Sequence, residues 1–437
     1  MIFGVLVSLV FLGPSLHATT RTAASCSAAD VNTAISASSN GDTVLVPGGT
    51  CSWDYSSNVV TIPSTKAITL NGQGTTTINF DNGDNPGDVS TGAFYVNAGT
   101  TTNTFVTGFT FNGGYISGFC PIQINDSYSP RTVTWRFYNN IVNMNSGGSP
   151  LVSMCIHGDG PGLVDHNIFN TTVDFSDFTQ NWGEGNPASQ TAWSEDVIPG
   201  GPNMLFFENN TVNGPANLNP TGTSLSQNYG GVQVVYRHNT LNNVGLDAHG
   251  YCNTSTSSCQ PPNQPNSCQY VNTRWWEIYD NTFAATGTST NVYAWVALRG
   301  GSGVMWGNTT SGTNLGAGEV QMQSDCASGF PYPAQDQVGQ GITQSSGSQA
   351  THPSPAYMWG NSGFPISSTN TNYVNQGTDY FVSSSQPSTI LRCESAADVS
   401  AGCPVSYNYV PYTYPHPLVS GTTTTIFPPT NVKVLVQ

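Results

Sequence analysis

The chain runs to 437 residues with 8% charged, nine Lys plus Arg against 24 Asp plus Glu, and a formal net charge of −15. A nucleic-acid binder needs a basic stripe, which nine cations in the whole chain do not supply. Apolar content is 37% with 47 glycines, a mixture that suits many short strands joined by turns rather than long helices.

In chain order, the first element is Met1 to Ala18 (MIFGVLVSLVFLGPSLHA), where an apolar run from Ile2 to Leu12 leads to a small-residue end at Ala18. This pattern predicts a secretory signal peptide and a secreted, extracellular protein, although the segment lacks a leading Lys or Arg. No other segment is long and apolar enough to span a bilayer. Ten cysteines agree with an oxidising compartment. Their short spacings predict local bridges: Cys26 with Cys51, Cys393 with Cys403, and a pair among Cys252, Cys259 and Cys268. Between Ala28 and Ser36, Ala28, Val31 and Ile35 share one helical face, predicting a short helix that covers the open first coil of a stack.

From there a repeat takes over. Seven segments carry an apolar alternation, a polar residue and an Asn: Trp135 to Asn140, Leu163 to Asn167, Leu205 to Asn210, Val234 to Asn239, Trp276 to Asn281, Val304 to Asn308 and Tyr357 to Asn361. Ile68 to Asn71 and Phe109 to Asn112 are weaker copies. Recurrence at roughly 20–50 residues marks a solenoid, the longer gaps being coils with inserted loops. Period two then assigns directions. The residue three before each Asn (Phe137, Val164, Phe207, Tyr236, Ile278, Met305, Met358) points inward as a ladder. The Asn itself is expected to tolerate the left-handed conformation at the turn and to hydrogen-bond its neighbours above and below.

The stretch Ala28-Ala-Asp-Val through Gly41-Asp-Thr-Val-Leu-Val-Pro-Gly-Gly-Thr-Cys51, with the Asn-Thr-Phe-type turns at Asn210, Asn239 and Asn281, resembles the N-terminal cap and coils of pectate-lyase-like right-handed parallel β-helix proteins. The resemblance covers roughly Ala28 to Gly363. It implies an all-β solenoid with a short capping helix, and it implies no single activity, because that fold hosts lyases, hydrolases, esterases and adhesins. Three regions are expected: a signal peptide to residue 18, a β-helix domain over 19–385, and a C-terminal cap and tail over 386–437. The aromatic, Pro-rich Tyr407 to Pro417 reads as part of the closing cap, and Pro428 to Gln437 as a strand or tail.

The residue two before each Asn points outward, and down the stack it reads Tyr138, Asp165, Glu208, Arg237, Tyr279, Trp306, Trp359. Arg136 and Glu277, four before their Asn, join the same face. Three chemistries fit this row. In the first, Asp165 and Glu208 hold Ca²⁺, which bridges to the carboxylate of a uronate polysaccharide while Arg237 serves as base or polarising group in a β-elimination. An Arg base needs a site that presses it toward neutrality. Asp165-His166 resembles the Asp-His strand of calcium-dependent pectate lyases, whose acid, acid, Arg layout on successive coils is similar; their longer motifs around the Arg are absent here. In the second, Asp165 and Glu208 are the acid and base, or the nucleophile, of a glycoside hydrolase. In the third, Tyr138, Tyr279, Trp306 and Trp359 form a noncatalytic glycan platform of a surface adhesin. The charged residues also read simply as a solvated ion-pair ladder.

Other signals are thinner. His157-Gly-Asp159, Asp247-Ala-His249 and Arg299-Gly-Gly are expected at turns near the same faces, with Arg299 and His249 as substrate-binding residues completing a cleft. Ala248-His249-Gly250 is loosely similar to the Gly-His-Gly of polygalacturonases. Glu195-Asp196, with Trp182 and Trp193, lies in the long insertion before Asn210 and reads as a wall over the groove or as a surface loop. The sequons at Asn125, Asn170, Asn209, Asn253 and Asn308 assign nothing by themselves. The sequence reading therefore favours a Ca²⁺-assisted polysaccharide lyase, with a hydrolase and a noncatalytic glycan binder behind it.

Overall fold

The chain folds as a right-handed parallel β-helix, seen here in a computed structural model. The structure describes residues 18–80 and most of 92–420, leaving aside loops that include 126–133, 145–150, 183–195, 250–272, 321–336 and 343–351. The signal-peptide segment, the trio Cys252, Cys259 and Cys268, Trp193, Glu195 and the 428–437 tail lie outside the described residues. None of the described helices is long and apolar enough to cross a membrane.

Each coil contributes strands to three faces. The first face stacks Trp135–Tyr138, Gly162–Asp165, Leu205–Glu208, Gln233–Arg237, Trp275–Tyr279, Ser302–Trp306, Ala356–Trp359 and Tyr380–Ser383 in parallel. The second follows after a two-residue corner and stacks Ile141–Met144, Ile168–Thr171, Thr211–Asn213, Thr240–Asn242, Thr282–Ala285 and Thr309–Gly312. The third runs from Val60–Ile62 to Ile366–Ser368 and includes Ile122–Asn125, Leu151–His157, Ser224–Tyr229, Gly245–Ala248 and Ala294–Leu298. Buried side chains fill the interior. The predicted ladder from Phe137 to Met358 lies wholly within that core. The helix Ala28–Ala37 closes the N-terminal end, burying Ala28, Val31, Ala34 and Ile35, with Ser27 capping its first turn. The Cys26–Cys51 bridge ties it to the first coils.

The corner between the first two faces explains the repeated Asn, with one correction. Asn140, Asn167, Asn210, Asn239, Asn281 and Asn308 are buried at 0–1% exposure. Each sends its side-chain amide to the Oδ1 of the Asn one coil on, and its backbone N–H to the same oxygen. The left-handed residue is the one before it: Asn139, His166, Asn209, His238 and Asp280 have φ of 53–57°, and Gly307 and Gly360 take the same place. A residue there turns the chain, while the Asn behind it faces inward and satisfies the backbone groups the corner leaves unpaired. Replacing Asn239 with Ala orphans the Asn210 N–H and the Phe207 carbonyl inside the stack. We expect a loss of about 1–3 kcal/mol for each group left unpaired, seen as a lowered unfolding midpoint with the fold retained.

Beyond Ser383 the chain leaves the stack. An antiparallel pair, Ile390–Arg392 with Val405–Tyr407, and the helix Ala396–Ser400 form a small unit closed by the Cys393–Cys403 bridge. A buried Arg274–Glu394 ion pair and an Asp196 carboxylate accepting from Ala396 N at 2.8 Å anchor it to the solenoid. Residues 407–420 then run back down the outside of the first face toward the N-terminal coils, ending in the 3₁₀ turn Pro417–Ser420. A second apolar cluster, including Phe206, Val235, Trp275, Tyr279 and Tyr409, fills the space between. This segment covers a face rather than an end of the stack. A third bridge, Cys120–Cys155, lies on the third face.

Candidate functional site

The register of the first face is the one the period predicts. Tyr138, Asp165, Glu208, Arg237, Tyr279, Trp306 and Trp359 are directly paired down the stack, all facing away from the interior. Five of the seven are nevertheless buried, Tyr138 and Trp306 being the partly exposed ones. Asp165, Glu208 and Arg237 are each 0% exposed. Arg136 donates through Nε and Nη2 to the two Asp165 oxygens at 2.7 and 2.6 Å, and through Nη1 to the Leu418 carbonyl at 3.0 Å. Arg237 Nε donates to Glu208 Oε2 at 2.8 Å, Nη1 to the Tyr412 carbonyl at 2.8 Å, and Nη2 to the Thr413 carbonyl at 3.0 Å. The His416 N–H donates to the remaining Glu208 oxygen at 3.0 Å. Glu277 accepts from Tyr409 Oη, Trp275 Nε1 and Gly200 N. The row and residues 409–418 therefore form one polar clasp.

That clasp bears on each proposed role. Both oxygens of Asp165 and of Glu208 are already engaged, by Arg136, His166, Arg237 and the His416 amide. A hard divalent cation needs several free carboxylate oxygens, so these two residues, as placed, do not fit a Ca²⁺ site. Burial works to lower the Arg237 pKa, but Tyr279 and Glu208 outweigh it and the guanidinium is held above its ordinary value. That is the opposite of what an Arg base requires. Tyr279 and Trp306 stack at 4.6 Å, Trp306 and Trp359 at 6.0 Å, and Tyr409 meets Trp359 edge-on. Arg136 sits 3.9 Å over the Tyr138 ring. Tyr279 and Trp359 are buried, and a sugar reaches them only if residues 407–420 move away, whereas Tyr138 and Trp306 are partly exposed.

The third face is different. The expectation that His157, Asp247, His249 and Arg299 share the first face is corrected here: alternation about the buried Met154, Ile156, Leu246, Ala248, Val296 and Leu298 turns them out on the third face. Leu298 pairs with Ala248, which sets Arg299 beside His249. His249 Nδ1 lies 2.8 Å from Asp247 Oδ2, Arg299 Nη1 lies 3.2 Å from His249 Nδ1, and Arg299 Nε lies 3.5 Å from Asp247 Oδ1. Side-chain exposures of 11, 13 and 19% for His249, Asp247 and Arg299 keep the cluster in reach of solvent. Asp247 Oδ1 and Arg299 Nε, both buried atoms, make only their mutual ion-pair contact and no hydrogen bond. Burial pushes the Asp247 carboxyl up, but Arg299 and His249 outweigh it and hold the carboxyl below its ordinary value. Nδ1 donates to Asp247 when it carries the proton, leaving Nε2 for proton transfer, and accepts from Arg299 Nη1 when it does not.

Further along this face, His157 Nε2 lies 2.7 Å from Gln123 Oε1, and burial lowers the His157 pKa to about 4. Gln227 is register partner of Asp247, and Asn125 donates to Asn97 at 3.0 Å. The Gln123–His157 pairing carried no sequence signal, because the two belong to different coils. Spacing within one strand did reveal Asp247 and His249.

No protein-family model and no curated protein matches the chain. Among solved structures it is similar to an alginate lyase from Paenibacillus sp. str. FPU-7 (12% identity, 83% of this chain and 95% of that one, TM-score 0.29). It is also similar to a PL6 family polysaccharide lyase from Pseudopedobacter saltans (13% identity, 90% and 97%, TM-score 0.32). A third is a family 28 exopolygalacturonase from Yersinia enterocolitica (11% identity, 85% and 78%, TM-score 0.26). At these TM-scores the likenesses decide nothing about activity. The β-helix stands on the chain's own strand pairing.

Proposed function

We propose that the protein is a secreted, carbohydrate-active β-helix that binds a polysaccharide along the third face and cleaves it by β-elimination at a uronate. The observation that carries this reading is the solvent-reached contact of one carboxylate, one imidazole and one guanidinium on adjacent coils. Arg299 binds the uronate carboxylate through its planar fork and acidifies the proton alpha to it. His249, oriented by Asp247, removes that proton; the electron pair forms the ring double bond, the glycosidic C–O bond breaks, and the departing oxygen takes a proton from water. The disulfides fit the oxidising compartment that secretion implies.

A second reading keeps the chemistry on Asp165, Glu208 and Arg237, with Ca²⁺ and with Tyr138, Tyr279, Trp306 and Trp359 as a sugar platform. Their placement in one row supports it. It requires residues 407–420 to leave the row and the carboxylates to exchange their present partners for the ion.

The test is incubation with pectic, alginate, mixed and neutral glycans, in Ca²⁺ or in EDTA. Ultraviolet absorbance of unsaturated uronate and release of reducing ends are followed together. Absorbance that survives EDTA is the expected result. Absorbance that needs Ca²⁺ favours the second reading, and reducing ends without absorbance indicate hydrolysis. Silence in both, with glycan retained on the protein, indicates a binding scaffold.

A further inference from the structure

Where the strand Gln233–Arg237 enters the first face, the chain encloses a small pocket that the third face does not share. Asp196, Ile198, Gly201, Pro202, Asn203, Met204 and Gln233 line it, around a volume of about 40 Å³. Alternation sets the direction of Gln233: Val234 and Tyr236 lie in the interior, so Gln233, Val235 and Arg237 face away from it. The loop that meets Gln233 is held by a tight turn, in which Gly201 N donates to the Ile198 carbonyl at 2.8 Å and Gly200 takes a φ of 72°. A Cβ at Gly200 would collide with the Val410 carbonyl, so this turn lies directly against the C-terminal segment.

Three properties meet in this pocket. Gln233 is 2% exposed and its Nε2 has no hydrogen-bond partner. Buried polar groups are almost always paired, so this one points to an acceptor supplied from outside the chain. Asp196 is exposed; its Oδ1 accepts from Ala396 N at 2.8 Å, and among the described residues no hydrogen bond falls on its Oδ2. The remaining wall is apolar: Met204 is buried, Pro202 is half-buried, and Ile198 stands 52% exposed at the rim, with Val410 60% exposed beyond Gly200. The volume has room for about three waters. It is too small for a sugar ring and suits a side group that a ring carries.

We propose that this pocket binds the acetamido group of an N-acetylated sugar. The acetamido carbonyl accepts from Gln233 Nε2, its N–H donates to Asp196, its methyl lies against Met204 and Pro202, and the sugar ring rests on Ile198. Other small groups fit less of the wall. A hydroxyl serves either polar side chain but leaves the apolar side uncovered. A carboxylate is repelled by Asp196, and an ammonium pairs with Asp196 but sets a donor against the Gln233 amide nitrogen. The site stands apart from the third face, so the proposal does not depend on the cleavage chemistry assigned there.

The experiment titrates full-length protein with N-acetylglucosamine, glucose and glucosamine, each followed by ligand-observed nuclear magnetic resonance. N-acetylglucosamine should bind saturably and about ten-fold or more tighter than either of the others, the size of one added hydrogen-bonded contact. That preference should vanish in Gln233→Met, which keeps the length of the side chain without its amide, while the unfolding midpoint stays or rises because no hydrogen bond is lost. It should also vanish in Asp196→Asn, whose Oδ1 still accepts from Ala396. If Gln233→Met fails to fold, Asp196→Asn, a change at an exposed side chain, carries the comparison. His249→Ala should bind N-acetylglucosamine as the unaltered protein does. Equal binding of glucose or glucosamine, a preference that survives both pocket variants, or no saturable binding at all overturns the proposal, the last meaning that the pocket holds water only.

Discussion

Replacing Arg237 with alanine is expected to destabilise the fold by about 3–5 kcal/mol, the range for removing one partner of a buried ion pair. The pair is fully enclosed, at 0% exposure on both sides. Without the guanidinium, Glu208 keeps only the His416 N–H, and the Tyr412 and Thr413 carbonyls lose their donor. The damage should therefore centre on residues 407–420. A lowered thermal midpoint together with faster proteolysis in that segment is the expected pair of observations. Glu208→Leu combined with Arg237→Leu should cost less than the sum of the two single changes, since no buried charge then stands alone. An Arg237→Ala protein with an unchanged midpoint would contradict the clasp as described. If that variant also lost all glycan cleavage, the second reading would replace the first.

His249→Ala should lower glycan cleavage by about 10²–10⁴-fold, the usual contribution of a positioned base. The midpoint should move little, because Asp247 keeps its Arg299 partner when the imidazole is removed. The loss should fall on kcat more than on KM, since Arg299 rather than His249 is assigned the substrate carboxylate. Asp247→Asn is a sharper version of the same test. It preserves shape but no longer favours the proton on Nδ1, and should lower the rate with KM preserved. A fully active His249→Ala protein would remove the base from the third face.

Most of the solenoid was legible because a repeat is a local statement made many times. The seven Asn segments set the coil length, period two set which side chains face in, and the short cysteine spacings located two of the bridges. The outward row from Tyr138 to Trp359 followed from the same alternation. Alternation tells which way a residue points relative to its own strand. It does not tell what lies beyond. The partners of that row, Tyr409, Tyr412, Thr413, His416 and Leu418, come from 132 to 282 positions away.

The same limit placed the left-handed residue at the Asn when it belongs one position earlier, where Gly307 and Gly360 had marked it. It also put His249 and Arg299 beside the wrong row, because the turn angle between faces is not written in strand periodicity. By itself, the sequence determined the coil, the interior ladder and the register, since each arises from neighbours close along the chain or from the stacking of like on like. Only the tertiary structure decided that the first face is roofed, because that depends on where a C-terminal segment with no repeat of its own finds buried charges to satisfy.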